Sequence, residues 1–157
     1  MHGHGPRDRQ VRGPLSLVEK SAVHGVVVRR FRCTNRSCRA TVTVVPEDVV
    51  RGRLYLASAI AVAFVLLGVR HQSQRAVRER LCALQEWGEG SASRWDALRD
   101  WVGAVRDGRL FRCVRRPPDT WTATQVAERA ATTVAALGPP DAESIEAAAF
   151  VGAARAA

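Results

Sequence analysis

The sequence predicts an α+β fold, in which a short N-terminal β-hairpin precedes a mainly α-helical bundle. Two β-branched runs flank a polar loop near the N-terminus, and apolar residues recur at helical spacing further along the chain. Apolar residues make up 46% of the 157 residues, which is enough for a hydrophobic core. We expect three parts: a basic arm with the hairpin in 1–50, the helical bundle in 51–116 and an Ala-rich helical tail in 117–157.

The N-terminal part contains the predicted hairpin. Residues 1–13 are rich in Gly, His and Arg and predict an irregular basic arm, while Leu15–Glu19 predicts a short strand. Gly25–Cys33 begins with a β-branched run and then alternates, which is typical of a strand. Cys33–Cys38 predicts a tight polar loop, and Ala40–Val45 predicts the returning strand.

An apolar run, Leu54–Val69, predicts the first helix. Its 16 residues would form a helix of about 24 Å, against about 30 Å for the hydrocarbon core of a bilayer. Arginines flank the run, and several of its residues are small, so we interpret it as a buried core helix rather than a membrane span. The N-terminus shows no apolar signal segment, and we expect a cytoplasmic protein.

Two further helices complete the predicted bundle. The second spans Ser73–Trp87, and the third begins after Ser93, where Asp96 has the spacing of a capping box. Trp101 lies outside the apolar stripe of the third helix, so we predict that it is the most exposed tryptophan. That stripe comprises Trp95, Leu98, Val102 and Val105.

The rest of the chain predicts one strand and two helices. Residues 109–116 alternate enough for a short strand before a Pro-Pro pair. In the Ala-rich tail, Thr124–Leu137 predicts a helix that Gly138 ends, and Asp141–Ala157 predicts another.

The charge of +9 is unevenly distributed. Residues 1–80 carry 15 basic and five acidic side chains, whereas residues 117–157 carry two basic and five acidic ones. An anionic partner should therefore contact the first half of the chain, and nucleic acid is favoured over a merely solvated basic surface. The predicted phosphate contacts in this half are Arg29, Arg30, Arg32, Arg36 and Arg39.

The second and third helices have the outline of a helix-turn-helix. The third would be the recognition helix, because Arg94, Arg99 and Arg106 lie off its apolar stripe. Asp96 and Asp100 on the same helix would repel a phosphate, so an ordinary helical hairpin is the alternative.

Cys33 and Cys38 form half of a possible metal site. Two thiolates in the loop of a hairpin resemble one half of a zinc ribbon, which needs four ligands. His2 and His4 are candidates for the other two, and the alternative is a pair of free thiols. The sequence contains no GxSxG, HExxH or Gly-rich phosphate loop, so we predict no enzyme activity.

Seven short segments carry a resemblance to known proteins: His2–Gly5, Arg29–Cys33, Cys38–Arg39, Thr41, Thr43–Pro46, Arg51–Tyr55 and Ser93–Trp95. Together they resemble a family of uncharacterised prokaryotic transposase-like proteins, which have an N-terminal zinc ribbon followed by a helix-turn-helix. In that family a first CxxC pair lies upstream of the HxHG-like segment, so we expect either a translation start further upstream or a decayed copy. The resemblance implies DNA binding linked to mobile elements, without the catalytic domain of a transposase.

The sequence therefore predicts a non-catalytic protein that binds double-stranded DNA, with zinc as a possible cofactor and no small-molecule substrate. Two alternatives from other classes stay open. One is a structural or interaction protein, or a decayed remnant, acting through its helices. The other is a membrane-associated protein that uses Leu54–Val69.

Overall fold

A computed structural model describes residues 1–82 and 96–157. It confirms the α+β class, because a three-stranded antiparallel sheet is followed by helices. The strands are β1 (His2–Gly13), β2 (Ala22–Arg32) and β3 (Thr41–Val44). The helices of the described ranges are α1 (Ala57–Phe64), which continues as a π-helical turn (Val65–Val69), α2 (Gln74–Leu81), α3 (Ala97–Arg106), α4 (Ala123–Ala135) and α5 (Ile145–Ala156).

The first strand corrects two predictions. Residues 1–13 are not an irregular arm, because β1 pairs with β2 from His2 to Gly13 with one irregularity between Gly3 and Pro6. The local residues favour no strand, but the β-branched run of β2 offers unpaired backbone groups that β1 satisfies. The predicted strand at Leu15–Glu19 is also wrong, since this segment is the turn that connects the two strands.

The predicted hairpin is confirmed. Its strands are β2 and β3, and its loop runs through Cys33 and Cys38. At the base of the loop the Cys33 amide donates to the Ala40 carbonyl at 2.8 Å. The sheet joins the bundle at its other end, where the Arg12 amide donates to the Leu54 carbonyl at 2.7 Å.

The apolar run forms the central helix, which confirms its prediction as core. Every residue of α1 is buried, and the π turn continues the core as far as Gly68. Asp48 fixes the start of α1, because its carboxylate accepts bonds from the Ser58 amide at 2.7 Å and the Ser58 hydroxyl at 2.6 Å. Among the residues that the structure describes, no helix has the length and apolar character needed to cross a membrane.

The two C-terminal helices are confirmed and pack closely against the central helix and each other. A Cβ added to Gly68, at the end of the π turn, would lie 2.1 Å from the Glu128 amide nitrogen of α4. A Cβ added to Gly152 of α5 would lie 2.1 Å from the Val134 carbonyl oxygen. These contacts are backbone to backbone, so the Ala- and Gly-rich composition allows helices to approach more closely than larger side chains would permit.

Two predictions about the middle of the chain are wrong. Trp101 is only 2% exposed and packs edge-on against Tyr55 with ring centroids 4.9 Å apart. The buried face of α3 is wider than the stripe, as is common for a helix on a globular core. Residues 109–116 form turns rather than a strand, and Phe111 enters the core at φ +49° against Phe64. The amides of residues 109 and 110 both bond to the Ala104 carbonyl, so this segment ends α3 instead of pairing with a strand.

Candidate nucleic-acid interface

One face of the sheet carries a row of arginines. Directly paired residues of antiparallel strands share a face, and successive residues of a strand alternate between faces. The pairs Arg7–Val28, Arg30–Thr43 and Arg32–Thr41 therefore lie on one face. We call this surface, with its four arginines and two threonines, the basic face: Arg7, Arg9, Arg30, Arg32, Thr41 and Thr43.

A broad groove lies on the basic face. Its volume is about 860 Å³, and Val28 contributes to its lining. Arg7 and Arg30 come from the strands, Arg51 comes from the loop before α1, and Asp8 is also part of the lining. Arg7 and Arg51 are exposed, so their guanidinium groups are accessible to an anion.

Arg9 holds one wall of this groove in place. Its guanidinium donates to the carbonyl oxygens of Val50 at 2.9 Å and Arg53 at 2.6 Å, more than 40 residues away in sequence. These bonds attach the loop that carries Arg51 to the sheet. Arg9 is therefore a positioning residue of the groove, whereas Arg7, Arg30 and Arg51 can contact a ligand.

A second groove of about 460 Å³ lies at the tip of the hairpin. It brings together three of the predicted arginines, Arg32, Arg36 and Arg39, all of them exposed. Asn35 shapes the loop, because its side-chain oxygen accepts bonds from the Ser37 amide at 3.0 Å and the Ser37 hydroxyl at 2.7 Å. We call this the hairpin-tip groove. Its lining residues are His2, Arg32, Cys33, Thr34, Asn35, Arg36 and Arg39.

Arg29 is separated from the other predicted contacts. Its pairing with Val44 places it on the opposite face of the sheet from Arg30. There it lines a shallow depression with Val27 and Phe31. The structure thus brings Arg30, Arg32, Arg36 and Arg39 to one side of the sheet and Arg29 to the other.

The predicted recognition helix shows a different arrangement. Arg99 is exposed but lies 3.4 Å from the Asp96 carboxylate and 3.9 Å from that of Asp100. Arg106 is half-buried and donates to the Trp121 carbonyl, which ties α3 to the start of α4. The end of the second predicted helix and the turn that follows it lie outside the described residues. So do Ser93, Arg94 and Trp95.

Sequence reasoning missed two residues of the broad groove, Arg7 and Arg51. Arg7 belonged to a segment predicted as irregular, although Arg7, Arg9 and Val11 alternate with period two. That alternation was the available signal for a strand with one basic face. Arg51 had no local signal, because long-range bonds such as those from Arg9 bring its loop to the sheet.

The two predicted thiol ligands lie together at the hairpin tip. The Asn35 backbone lowers the pKa of the Cys33 thiol through a hydrogen bond, and the Cys38 thiol lowers it further. His2 lines the same groove, whereas His4 lies exposed at the irregularity of β1. Within residues 1–82 and 96–157, no group of three or more His, Cys, Asp or Glu side chains is placed to hold a metal ion. These residues supply fewer than the four ligands of a structural zinc site, and zinc binding stays a prediction.

Comparisons with family models, curated proteins and solved structures found no match to this chain. The resemblance to transposase-like proteins therefore stays a prediction.

Proposed function

We propose that the protein binds double-stranded DNA through the basic face of its sheet and the hairpin-tip groove, without catalysing a reaction. The observation that carries the proposal is the grouping of Arg7, Arg30 and Arg51 around one groove. The hairpin-tip groove continues this basic surface, because Arg32 belongs to both. In keeping with the predicted resemblance, the proposed role is that of a cytoplasmic, mobile-element-associated protein.

The spacing of the arginines suits a polyanion. Arg30 and Arg32 lie two residues apart on one strand, so their Cα atoms are separated by about 6.6 Å. Double-stranded DNA carries one negative charge per about 1.7 Å of helix axis, so an extended row of cations meets phosphates at every position. Arginine also donates two parallel hydrogen bonds to one phosphate, which a lysine cannot do.

The hairpin has a shape that DNA can accommodate. The major groove is about 12 Å wide and admits a two-stranded β-ribbon. In the proposed mode the broad groove of the basic face contacts the phosphate backbone, and the loop between β2 and β3 reaches toward the DNA groove. Arg36 and Arg39 on this loop are then the residues closest to base edges, while Arg7, Arg30 and Arg51 supply contacts that are independent of sequence.

Salt dependence of binding to a labelled duplex tests the proposal. If about five phosphates are contacted, log K should fall with log salt at a slope of about −4 to −5. The triple variant Arg7→Gln/Arg30→Gln/Arg51→Gln should lose most of this slope on every duplex sequence. The matched control is Arg112→Gln/Arg115→Gln/Arg129→Gln, which removes equal charge from exposed positions outside the sheet. An absence of binding at low salt, or an equal loss in the control, would contradict the proposal.

A second candidate function, binding of another protein, is favoured by the opposite face of the sheet. Four valines are largely exposed there, with Val27 at 64% and Val44 at 55%. Exposed β-branched residues on a sheet face are typical of contact surfaces. This candidate would replace DNA binding if the duplex assay failed and the variant Val27→Thr/Val44→Thr lost a protein partner. The four valines are Val23, Val27, Val42 and Val44.

A further inference from the structure

The hairpin tip contains two cysteines at the ends of one short loop. Cys33 directly follows β2 and is half-buried, and Cys38 lies further along the loop and is exposed. The Cys38 side chain lies close enough to lower the pKa of the Cys33 thiol. Two backbone bonds hold the loop in this shape, from the Cys33 amide to the Ala40 carbonyl at 2.8 Å and from the Cys38 amide to the Asn35 carbonyl at 3.2 Å.

We propose that Cys33 and Cys38 are a site of reversible oxidation, which closes to an intramolecular disulfide when the protein meets a peroxide. In the reaction both S–H bonds and the O–O bond of the peroxide break, one S–S bond forms, and hydrogen peroxide leaves as two water molecules. The two sulfurs lose two electrons, which reduce the peroxide. A dithiol reductant reverses the step by thiol–disulfide exchange, because it attacks the disulfide and becomes oxidised itself.

The geometry favours this pair over the other two cysteines. A disulfide needs two cysteines whose sulfurs can approach in the required orientation, and the backbone bonds that close the hairpin loop hold Cys33 and Cys38 near each other. Cys82 lies at the end of α2 and Cys113 in the segment after α3, so neither belongs to the hairpin. The exposure of Cys38 gives a peroxide access to the pair, and redox-sensitive cysteines often have a second cysteine beside them that completes the disulfide.

The cysteine pair lies beside the arginines of the hairpin tip. Cys33 lines the hairpin-tip groove, and the ring that the disulfide would close contains Arg36. Arg39, immediately after Cys38, has a positive φ of 48°, so the backbone beside the pair is already constrained. Any effect of the disulfide on DNA binding rests on the proposed function, whereas formation of the disulfide does not.

Peptide mapping of the full chain tests the proposal without using DNA. The reduced protein is treated with hydrogen peroxide in the presence of a chelator, so that no bound metal protects the thiols, and is then digested with trypsin. Cleavage after Arg32, Arg36 and Arg39 separates the cysteines into peptides 33–36 and 37–39. We expect these two peptides to be joined by a disulfide, with a mass about 2 Da below their sum, and to separate again with dithiothreitol.

The double variant Cys82→Ser/Cys113→Ser provides the control, because it leaves only the proposed pair. It should lose both free thiols to peroxide without forming disulfide links between chains. Adding Cys38→Ser should abolish the intramolecular product and leave Cys33 about 16 Da heavier as a sulfenic acid. The proposal is overturned if Cys33 and Cys38 stay reduced while Cys113 is oxidised, or if the disulfides link separate chains. Because the readout is mass, these results stand whether or not the protein binds DNA.

Discussion

Arg29 and Arg30 offer a matched test of the interface, because they are neighbours on β2 with side chains on opposite faces of the sheet. Replacing Arg30 with Gln removes one cation from the broad groove, and replacing Arg29 removes the same charge from the other face. One phosphate contact contributes about 0.9 to the salt slope, which corresponds to about an eightfold change in affinity between 0.1 M and 1 M salt. We therefore expect Arg30→Gln to bind duplex DNA about eightfold more weakly at 0.1 M salt and Arg29→Gln to bind almost as the wild type does.

Fluorescence anisotropy of a labelled duplex, titrated at several salt concentrations, measures both the affinity for DNA and its salt slope. Arg30→Gln should lower the magnitude of the slope by about 0.9, and the loss in affinity should shrink as salt rises. Equal thermal melting of the two variants would show that folding is unaffected. If Arg29→Gln weakened binding as much as Arg30→Gln did, the assignment of the interface to one face of the sheet would be refuted.

Three further predictions concern stability. Phe64→Asp should prevent folding, because an unpaired charge in the core costs several kcal/mol against a total of about 5–15 kcal/mol; a cooperative melt near that of the wild type would contradict this. Gly68→Ala should lower the free energy of unfolding by about 1–3 kcal/mol, because its Cβ would overlap the backbone of α4. Gly103→Ala, where nothing lies within 4 Å, should raise that free energy by about 0.5–1 kcal/mol, and denaturant melts that reversed this order would refute the packing. Burial raises the pKa of Asp48, so the folded state holds its proton more tightly than the unfolded chain. The contribution of Asp48 is therefore present at pH below the ordinary pKa of a carboxyl and is lost as pH rises through the raised pKa. The stability of the wild type relative to Asp48→Asn should fall as the pH rises from below the ordinary carboxyl pKa of about 3.9 through the raised pKa, and a rise in stability would show the opposite shift.

The elements that could be predicted from the sequence are those with strong local signals. The 16-residue apolar run, the β-branched strands of the hairpin and the Ala-rich helices each carry their own pattern. β1 carries no comparable propensity, because Gly, Pro and His dominate its first half. Its one local sign was the alternation of Arg7, Arg9 and Val11. The pairing with β2 that makes it a strand depends on a partner distant in sequence.

The candidate site was only partly predictable for the same reason. The charge asymmetry directed attention to the arginines of the hairpin, but the assignment of a face depends on strand pairing. Arg29 and Arg30 are equivalent in sequence, and only the register separates them. Arg51 joins the groove through the bonds that Arg9 makes with a distant loop. A contact between residues so far apart in sequence produces no periodic pattern of residues.

The complete burial of α1 has a consequence for the synthesis of the protein. The helix is covered in part by α4 and α5, which lie at the C-terminal end of the chain. Ribosomes add about 5–20 residues per second, so the apolar run emerges several seconds before these helices can cover it. During that interval the nascent chain displays a long uncharged segment that favours aggregation. We therefore expect production of the protein to depend on chaperones that hold α1 until the last helix has been made.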